Sequence, residues 1–526
     1  MRFDDRHAYL FGSEADDLFV PPSQPWRDEP SVGLPSDAGL SQTEEWVWGE
    51  LARHGDVDVS KNPFNEGYIS SRFLILILFN DPWRRAFSKP VIKIKNAKFR
   101  DVIDFESRVF DGKLELENCI FEKEVVLTGL EMRRSLTLNQ CQFQADLLAD
   151  RLSMGGLFLI NGSTFDGVVQ MDDLDIATDL IASGATFNDL WSLDDAKVDG
   201  SIVFGPGSVY RGRIQARRLD VRKSLDLSGS SYEREVLLVG STIQEELLLD
   251  SRIKLQKNMF GKAIGKMPPN FIPKETPVWR TDRAKINVRN VETQILQSSI
   301  DAWRHESGSF VPRDLTGFRF SRLGGGENRV ESLHREDKEV LVDWLEKDLL
   351  RTDRALPNNG YSPARYRALA KTLRETGHES KARYIMWALG RARKRALPRF
   401  SFSKIIETLS GQITGYGYQQ IRGLFYSVVL ITAFAVIGMF WPSSATEMSR
   451  DVYSLQDWIS WLGFSFEKAV PFSDLDPIED TFLNDVFGPV LPQGMRAAFM
   501  LERVLGIIII GFVIAGFTGW AERRGE

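Results

Sequence analysis

Residues 114–143 read LELENCIFEKEVVLTGLEMRRSLTLNQCQF. Their apolar positions are Leu114, Leu116, Cys119 and Phe121, then Val125, Leu127, Leu130 and Met132, then Leu136, Leu138, Cys141 and Phe143. The intervals run 2, 3, 2, 4 and repeat every 11 residues, which does not fit the period of a helix. A gap of two places both side chains on one face of a short strand. The longer gaps are corners that return the next strand's apolar residues to the inside. A chain that advances while one face stays inward is a solenoid, here a β-helix.

The pattern extends in both directions. Phe99, Phe121, Phe143, Phe165 and Phe187 are each 22 residues apart. Units ending in Phe have a small third residue (Ala97, Cys119, Cys141, Ser163, Ala185), whereas the alternate units mostly have Leu or Ala there (Leu130, Leu152, Leu174, Ala196). The coil is therefore 22 residues with two unlike halves, and about seven coils at ~4.8 Å give a rod of ~34 Å. Gly205-Pro206-Gly207 interrupts the repeat, which resumes after one inserted residue at Leu225, Leu227, Ser230 and Tyr232 and fades near Leu249.

The Ala-x-Phe, Cys-x-Phe and Thr-Phe pieces resemble the pentapeptide-repeat superfamily over residues 92 to 254. That resemblance implies a right-handed, square β-helix with Phe or Leu inward. The 22-residue coil departs from the superfamily's 20, so the segment is pentapeptide-repeat-like. Cys119 and Cys141 fall one coil apart at the same inward position. They read as members of a ladder of small core residues, with a disulfide or metal site as the alternative.

The 526-residue chain carries 66 Lys+Arg against 72 Asp+Glu, a net charge of −6, and is 43% hydrophobic. This is neither a disordered composition nor that of a polytopic membrane protein, and net acidity makes nucleic acid an unlikely partner. Charge on the rod is uneven. A stretch holding Asp172, Asp173, Asp194 and Asp195 is followed by one holding Arg211, Arg213, Arg217 and Arg218. The readings are a solvated face or a docking surface for a cytoplasmic protein, a ligand or another copy.

Residues 1–85 form an N-terminal region rich in Pro at first, with no secretory signal pattern. Its run Phe73–Phe79 is expected to be a buried strand capping the rod, whose domain spans 86–260. Residues 261–334 read as an irregular connector, and Gly324-Gly325-Gly326 lacks the Lys-Ser/Thr of a phosphate loop. Helical spacing marks 335–351, 362–377 and 382–395, and the latter pair looks like a tetratricopeptide-style hairpin within a 335–400 domain. The five histidines show no ligand pairing, and no nucleophile constellation appears. No catalytic role and no cofactor are expected.

The 401–526 domain is a membrane module. Helices are expected at about 422–441 and 498–520, each apolar for long enough to cross a bilayer. Residues 391–422 hold seven Lys/Arg and one acid, and the loop 442–497 holds nine acids and three bases. The positive-inside rule places both termini in the cytoplasm and the loop outside, in a bacterial inner membrane. Within that loop, 454–477 holds a short aromatic helix followed by Val470, Pro471, Phe472, Ser473, Asp474 and Asp476. Val-x-Phe-x-Asp resembles the re-entrant pore loop of two-helix potassium-type channels, whose filter reads Thr-Val-Gly-Tyr-Gly-Asp. The resemblance implies a homotetrameric pore. Pro471 and Ser473 replace both filter glycines, which turns the expectation from potassium selectivity to weak cation selectivity. Asp474, Asp476 and Glu479 would form a charge ring. Glu502 and Arg503, at the start of the second helix, need the outer interface or a partner in the bundle. The alternative to a channel is a membrane-anchored interaction scaffold without transport.

Overall fold

The computed structural model describes residues 39–64, 67–81, 83–85, 91–250, 276–324, 333–347, 362–398, 401–416, 418, 420–440, 455–470 and 493–524. They belong to two compact units. One comprises Met1–Asp353 with Arg367–His378, the other Arg354–Tyr366 with Glu379–Glu526.

The first unit is the β-helix. One coil is built of four short strands, Leu136–Asn139, Gln142–Phe143, Leu147–Leu148 and Ser153–Met154. Each pairs in parallel with its equivalent one repeat earlier: Leu136 with Leu114, Phe143 with Phe121, Leu147 with Val125 and Met154 with Met132. The offset is 22 residues, as the spacing predicts. Across Gly205-Pro206-Gly207 it becomes 23, with Phe187 opposite Tyr210 and Ile202 opposite Leu225, and it returns to 22 with Tyr210 opposite Tyr232.

An aromatic stack runs through the core. Ring centroids are separated by 4.9 Å for Phe99–Phe121, 4.4 Å for Phe121–Phe143 and 4.8 Å for both Phe143–Phe165 and Phe165–Phe187. It continues through Tyr210, Tyr232 and Trp279 at 5.0–5.2 Å. These spacings match the strand-to-strand rise, so identical residues stack on every coil. The two buried tyrosine hydroxyls donate to Phe204 O and Leu227 O, which satisfies their polar ends inside an apolar rod.

Corners need left-handed backbone. At one, Asn118, Gln140, Gly162 and Gly184 have φ between 54° and 70°. Asn and Gly tolerate this region best, which accounts for their recurrence there. The small inward residues form a second ladder beside the aromatics. The Cys119 thiol donates to Glu117 O at 3.5 Å, that of Cys141 to Leu116 O at 3.4 Å, and Ser163 Oγ to Leu138 O at 2.6 Å. Both cysteines are free and buried.

The β-helix also runs further than its sequence pattern. Val278–Trp279 pairs with Ser231–Tyr232, Lys285–Asn287 with Glu235–Leu237, and Glu292–Gln297 with Thr242–Leu248. Arg313–Asp314 and Arg319–Leu323 add further strands. So the described part of the region expected to be an irregular connector is solenoid. Insertions stretch the offset to 47 residues between Ser231 and Val278 and to 27 between Ile286 and Arg313, which hides the period.

Both ends are covered. At the N-terminal end, helix α1 (Gln42–His54) opens with a capping box of Ser41 and Glu44. Glu44 also accepts from the Ser70 amide at 2.8 Å and its hydroxyl at 2.5 Å, tying α1 to the start of α2 (Ser71–Phe79). The run at Phe73–Phe79 is thus a helix, not the expected strand. A short continuous apolar run carries no alternation to distinguish the two, and the Ser70 cap on the Phe73 amide decides for the helix. It still plugs the rod: Phe73, Leu74, Ile77 and Leu78 are buried, and the Phe79 ring meets Phe105 edge-on at 5.0 Å. Toward the other end, helix α3 (Lys338–Glu346) packs Trp344 edge-on against Trp303 at 5.4 Å. Arg313, fully buried, donates from Nε to Trp344 O at 3.0 Å. A guanidinium at a helix C-terminus satisfies carbonyls that have no partner within the helix.

Candidate functional site

The second unit contains α5 (Glu379–Ala396), α6 (Phe402–Ile413), α7 (Gln420–Met439), α8 (Leu455–Ala469) and α9 (Gln493–Arg524). Helix α4 (Pro363–Glu375) precedes them. Among the described residues, two stretches are long and apolar enough to cross a membrane, Ile421–Met439 with mean hydropathy 1.9 and Gln493–Ala515 with 2.3. Only 22% and 17% of them is buried within the chain, so neither is packed here as a core helix. Leu424, Phe425, Val428 and Val429 of α7 and Leu501, Val504 and Ile507 of α9 are exposed. A surface this apolar fits lipid or another membrane helix.

The shorter α8 is inserted between them. Midway along it, Trp461 lies against Gly438, where a Cβ would overlap the indole ring. Phe464 meets Phe499 edge-on at 4.8 Å, and Ala435, Met439 and Met495 complete this apolar cluster. One turn on, Ser465 Oγ lies 2.8 Å from Ile431 O and against the Glu502 carboxylate. At the end of α8, the Ala469 carbonyl faces Gly506, again with no room for a Cβ. From Gly438 to Ile431, and from Phe499 to Gly506, is about 10 Å of helix at ~1.5 Å per residue. Helix α8 continues four residues beyond Ser465, so it follows α7 for about 16 Å, roughly half of the ~30 Å of α7, and ends beside Gly506 of α9. Gly423, in the first turns of α7, packs against Val513 of α9 (2.5 Å to an added Cβ), so the two long helices also close on each other below it.

Glu502 is completely buried at this three-helix junction and Arg503 is exposed. The Glu502 carboxylate meets Ser465, while its other oxygen, Oε2, has no hydrogen-bond partner among the described residues. Val470 ends α8, its amide donating to Phe466 O at 2.9 Å. The other pore-loop candidates, Pro471, Phe472, Ser473, Asp474 and Asp476, lie outside the described residues.

No family model, no curated protein and no solved structure matches the chain. The reading of function rests on its own geometry.

The charged residues singled out on the rod form a second candidate. Their spacing is structural as well as superficial. Asp150 accepts from the Asp172 amide, Asp172 from the Asp194 amide and Asp194 from the Arg217 amide, each at 2.7–3.0 Å. A carboxylate at this position thus caps a backbone amide of the next coil. Asp194 also takes the Arg217 guanidinium and Gln215 Nε2. Burial pushes its carboxyl up, and the hydrogen bonds from Arg217 and Gln215 outweigh that, holding it below the usual carboxylate range. Asp195 pairs with Arg218 across the same coil step, and Asp173 holds the same left-handed corner one coil earlier. Arg211 and Arg213 reach Glu233 and Glu235 at 3.9 and 3.7 Å. The acidic and basic stretches therefore lie on neighbouring coils and neutralise one another in part. That adjacency follows from the 22-residue coil plus the one residue inserted at Gly205-Pro206-Gly207, and is readable from sequence once the coil length is known. The buried Arg313 gave no such signal, because its strand lies beyond the insertions.

Among the described residues, no group of three or more His, Cys, Asp or Glu side chains is placed to hold a metal ion.

Proposed function

We propose that the protein is an integral membrane protein whose β-helix serves as a cytoplasmic sensor or interaction rod for an oligomeric, channel-like pore. The observation that carries this reading is α8, inserted between two lipid-compatible helices and ending partway along them. A helix that enters beside two spans and stops at that depth is a re-entrant element, and irregular backbone at membrane depth is tolerated only where it lines a cavity or is buried in protein. In this reading Val470, Pro471, Phe472, Ser473, Asp474 and Asp476 follow α8 into the mouth of the pore. Copies arranged as a tetramer enclose it, and Asp474 and Asp476 supply a cation-attracting ring. Pro471 and Ser473 in place of glycines favour a wide, weakly cation-selective path over a potassium filter. The acid-rich loop 442–497 faces outward and both termini face the cytoplasm of a bacterial cell. The rod's exposed charges are offered to a cytoplasmic protein or small ligand, with no catalysis and no nucleic acid involved.

Those same missing glycines favour a second reading, a membrane-anchored scaffold that binds partners through the rod and transports nothing. Cation flux from liposomes holding the purified protein, compared with Asp474→Asn, separates the two. Flux that falls or changes selectivity in the variant supports the pore, and a folded monomer without flux supports the scaffold.

A further inference from the structure

Helix α6 presents its faces the wrong way round for a helix in water. Phe402, Ile405, Ile406, Leu409 and Ile413 recur at helical spacing and form one apolar stripe. Phe402, Ile405 and Ile406 are 76%, 57% and 42% exposed. The polar side is the one turned to protein. Glu407 pairs with Arg393 of α5 at 3.1 Å, Lys404 Nζ donates to Leu397 O at 3.3 Å, and the Tyr416 ring is wedged between Gly411 and Gly390. Only Ile413, the last residue of the stripe, is buried.

The position of α6 says what covers the rest. It contacts both α7 and α9, and the Ile413 carbonyl and Thr414 lie beside Gly423, where α7 and α9 meet. So the Ile413 end of α6 lies at the end of the two long helices, beside the part of α7 where Ile421, Leu424 and Phe425 are also exposed. The surrounding charge is positive: Arg391, Arg393, Lys394, Arg395, Lys404 and Arg422 against Glu407 alone in this stretch. Apolar side chains beside basic groups at the end of a span suit a bilayer surface carrying negative headgroups.

We propose that α6 is an interfacial helix that lays Phe402, Ile405 and Ile406 into the acyl region of the leaflet at the N-terminal end of α7, and that the basic end of α5 takes the phosphates of anionic phospholipid. This inference rests on the membrane reading of α7 and α9, and the test separates the two. The full-length protein is labelled with a fluorophore at Phe402→Cys, at Ile437→Cys on the exposed side of α7, or at Ser380→Cys on the exposed start of α5. The native Cys119 and Cys141 are buried and stay unlabelled in the folded protein. Each sample is placed in phosphatidylcholine vesicles, with or without phosphatidylglycerol, that carry an acyl-chain quencher.

The expected result is strong quenching at Phe402→Cys and Ile437→Cys and little at Ser380→Cys. Phosphatidylglycerol should raise quenching at Phe402→Cys several-fold, a dependence lost when Arg393, Lys394 and Arg395 are replaced by Gln. Quenching at Ile437→Cys without quenching at Phe402→Cys overturns the interfacial helix and leaves the membrane reading standing. Absence at both positions overturns both. Self-quenching between labels at Phe402→Cys without lipid quenching makes a second copy the occupant and also overturns the proposal. Equal quenching in the two lipid mixtures overturns the headgroup half.

Discussion

Phe143→Ala is the sharpest test of the rod. The ring is 1% exposed and stacked on both sides, at 4.4 Å from Phe121 and 4.8 Å from Phe165. Truncating a buried Phe costs about 3–5 kcal/mol when the site cannot collapse. A β-helix coil cannot close independently, because its backbone is fixed by parallel pairing above and below. The loss therefore belongs at the upper part of that range. Phe99→Ala is the internal comparison, since Phe99 stacks on Phe121 alone in the aromatic ladder. One stack is worth ~0.5–1.5 kcal/mol, so Phe99→Ala should cost about 1 kcal/mol less. Each coil of a solenoid touches only its neighbours. Hydrogen exchange of the full-length protein, followed in peptides covering 118–124, 140–146 and 162–168, should show the loss locally, with amides near Tyr232 changed by less than about 1 kcal/mol. Opening free energies that change equally along the whole rod, or not at all at Phe143, would refute the stacked-coil argument.

Asp194→Asn removes a carboxylate held below its ordinary value of 3.8. Such a group stabilises the folded state above its unfolded pKa, and that stability is lost as pH falls through the lower folded value. The variant should be about 1.5–3 kcal/mol less stable than wild type at neutral pH, with the two urea curves converging in strong acid. A difference that persists unchanged in acid would contradict the ion-pair account. Gly506→Val places a side chain where the Ala469 carbonyl sits, and it should displace α8 while leaving α7 and α9 helical. A proteolysis site appearing in α8 checks this, and an unchanged digestion pattern would count against the packing described. Ser465→Ala leaves the buried Glu502 without its hydroxyl partner and should lower the detergent-solution melting temperature, by an amount corresponding to roughly 1–3 kcal/mol.

The rod was legible in sequence because a β-helix repeats its environment every coil. Leu114, Leu136, Phe158 and Leu180 occupy one position on successive coils, so packing writes a period into the chain. Legibility ended where insertions separated paired strands, as between Tyr232 and Trp279, although the aromatic stack continues across the gap. The plug at Ser71–Phe79 was legible as buried and not as helical, since its seven apolar residues face both the rod and α1's side without alternation. In the second unit, length and apolar composition marked the two candidate spans. Gly438 gave no sequence signal, because its role is to admit a neighbour's ring, which only the assembled helices show. The inverted faces of α6 were likewise hidden, since a stripe at helical spacing reads the same whether it turns toward protein or lipid.

Cation flux from liposomes containing the purified oligomer, with Asp474→Asn as the matched variant, tests the central claim most directly. The account predicts flux that falls or changes selectivity in the variant and an assembly of several copies. A well-folded monomer that conducts nothing would contradict it and leave the chain a membrane-anchored scaffold.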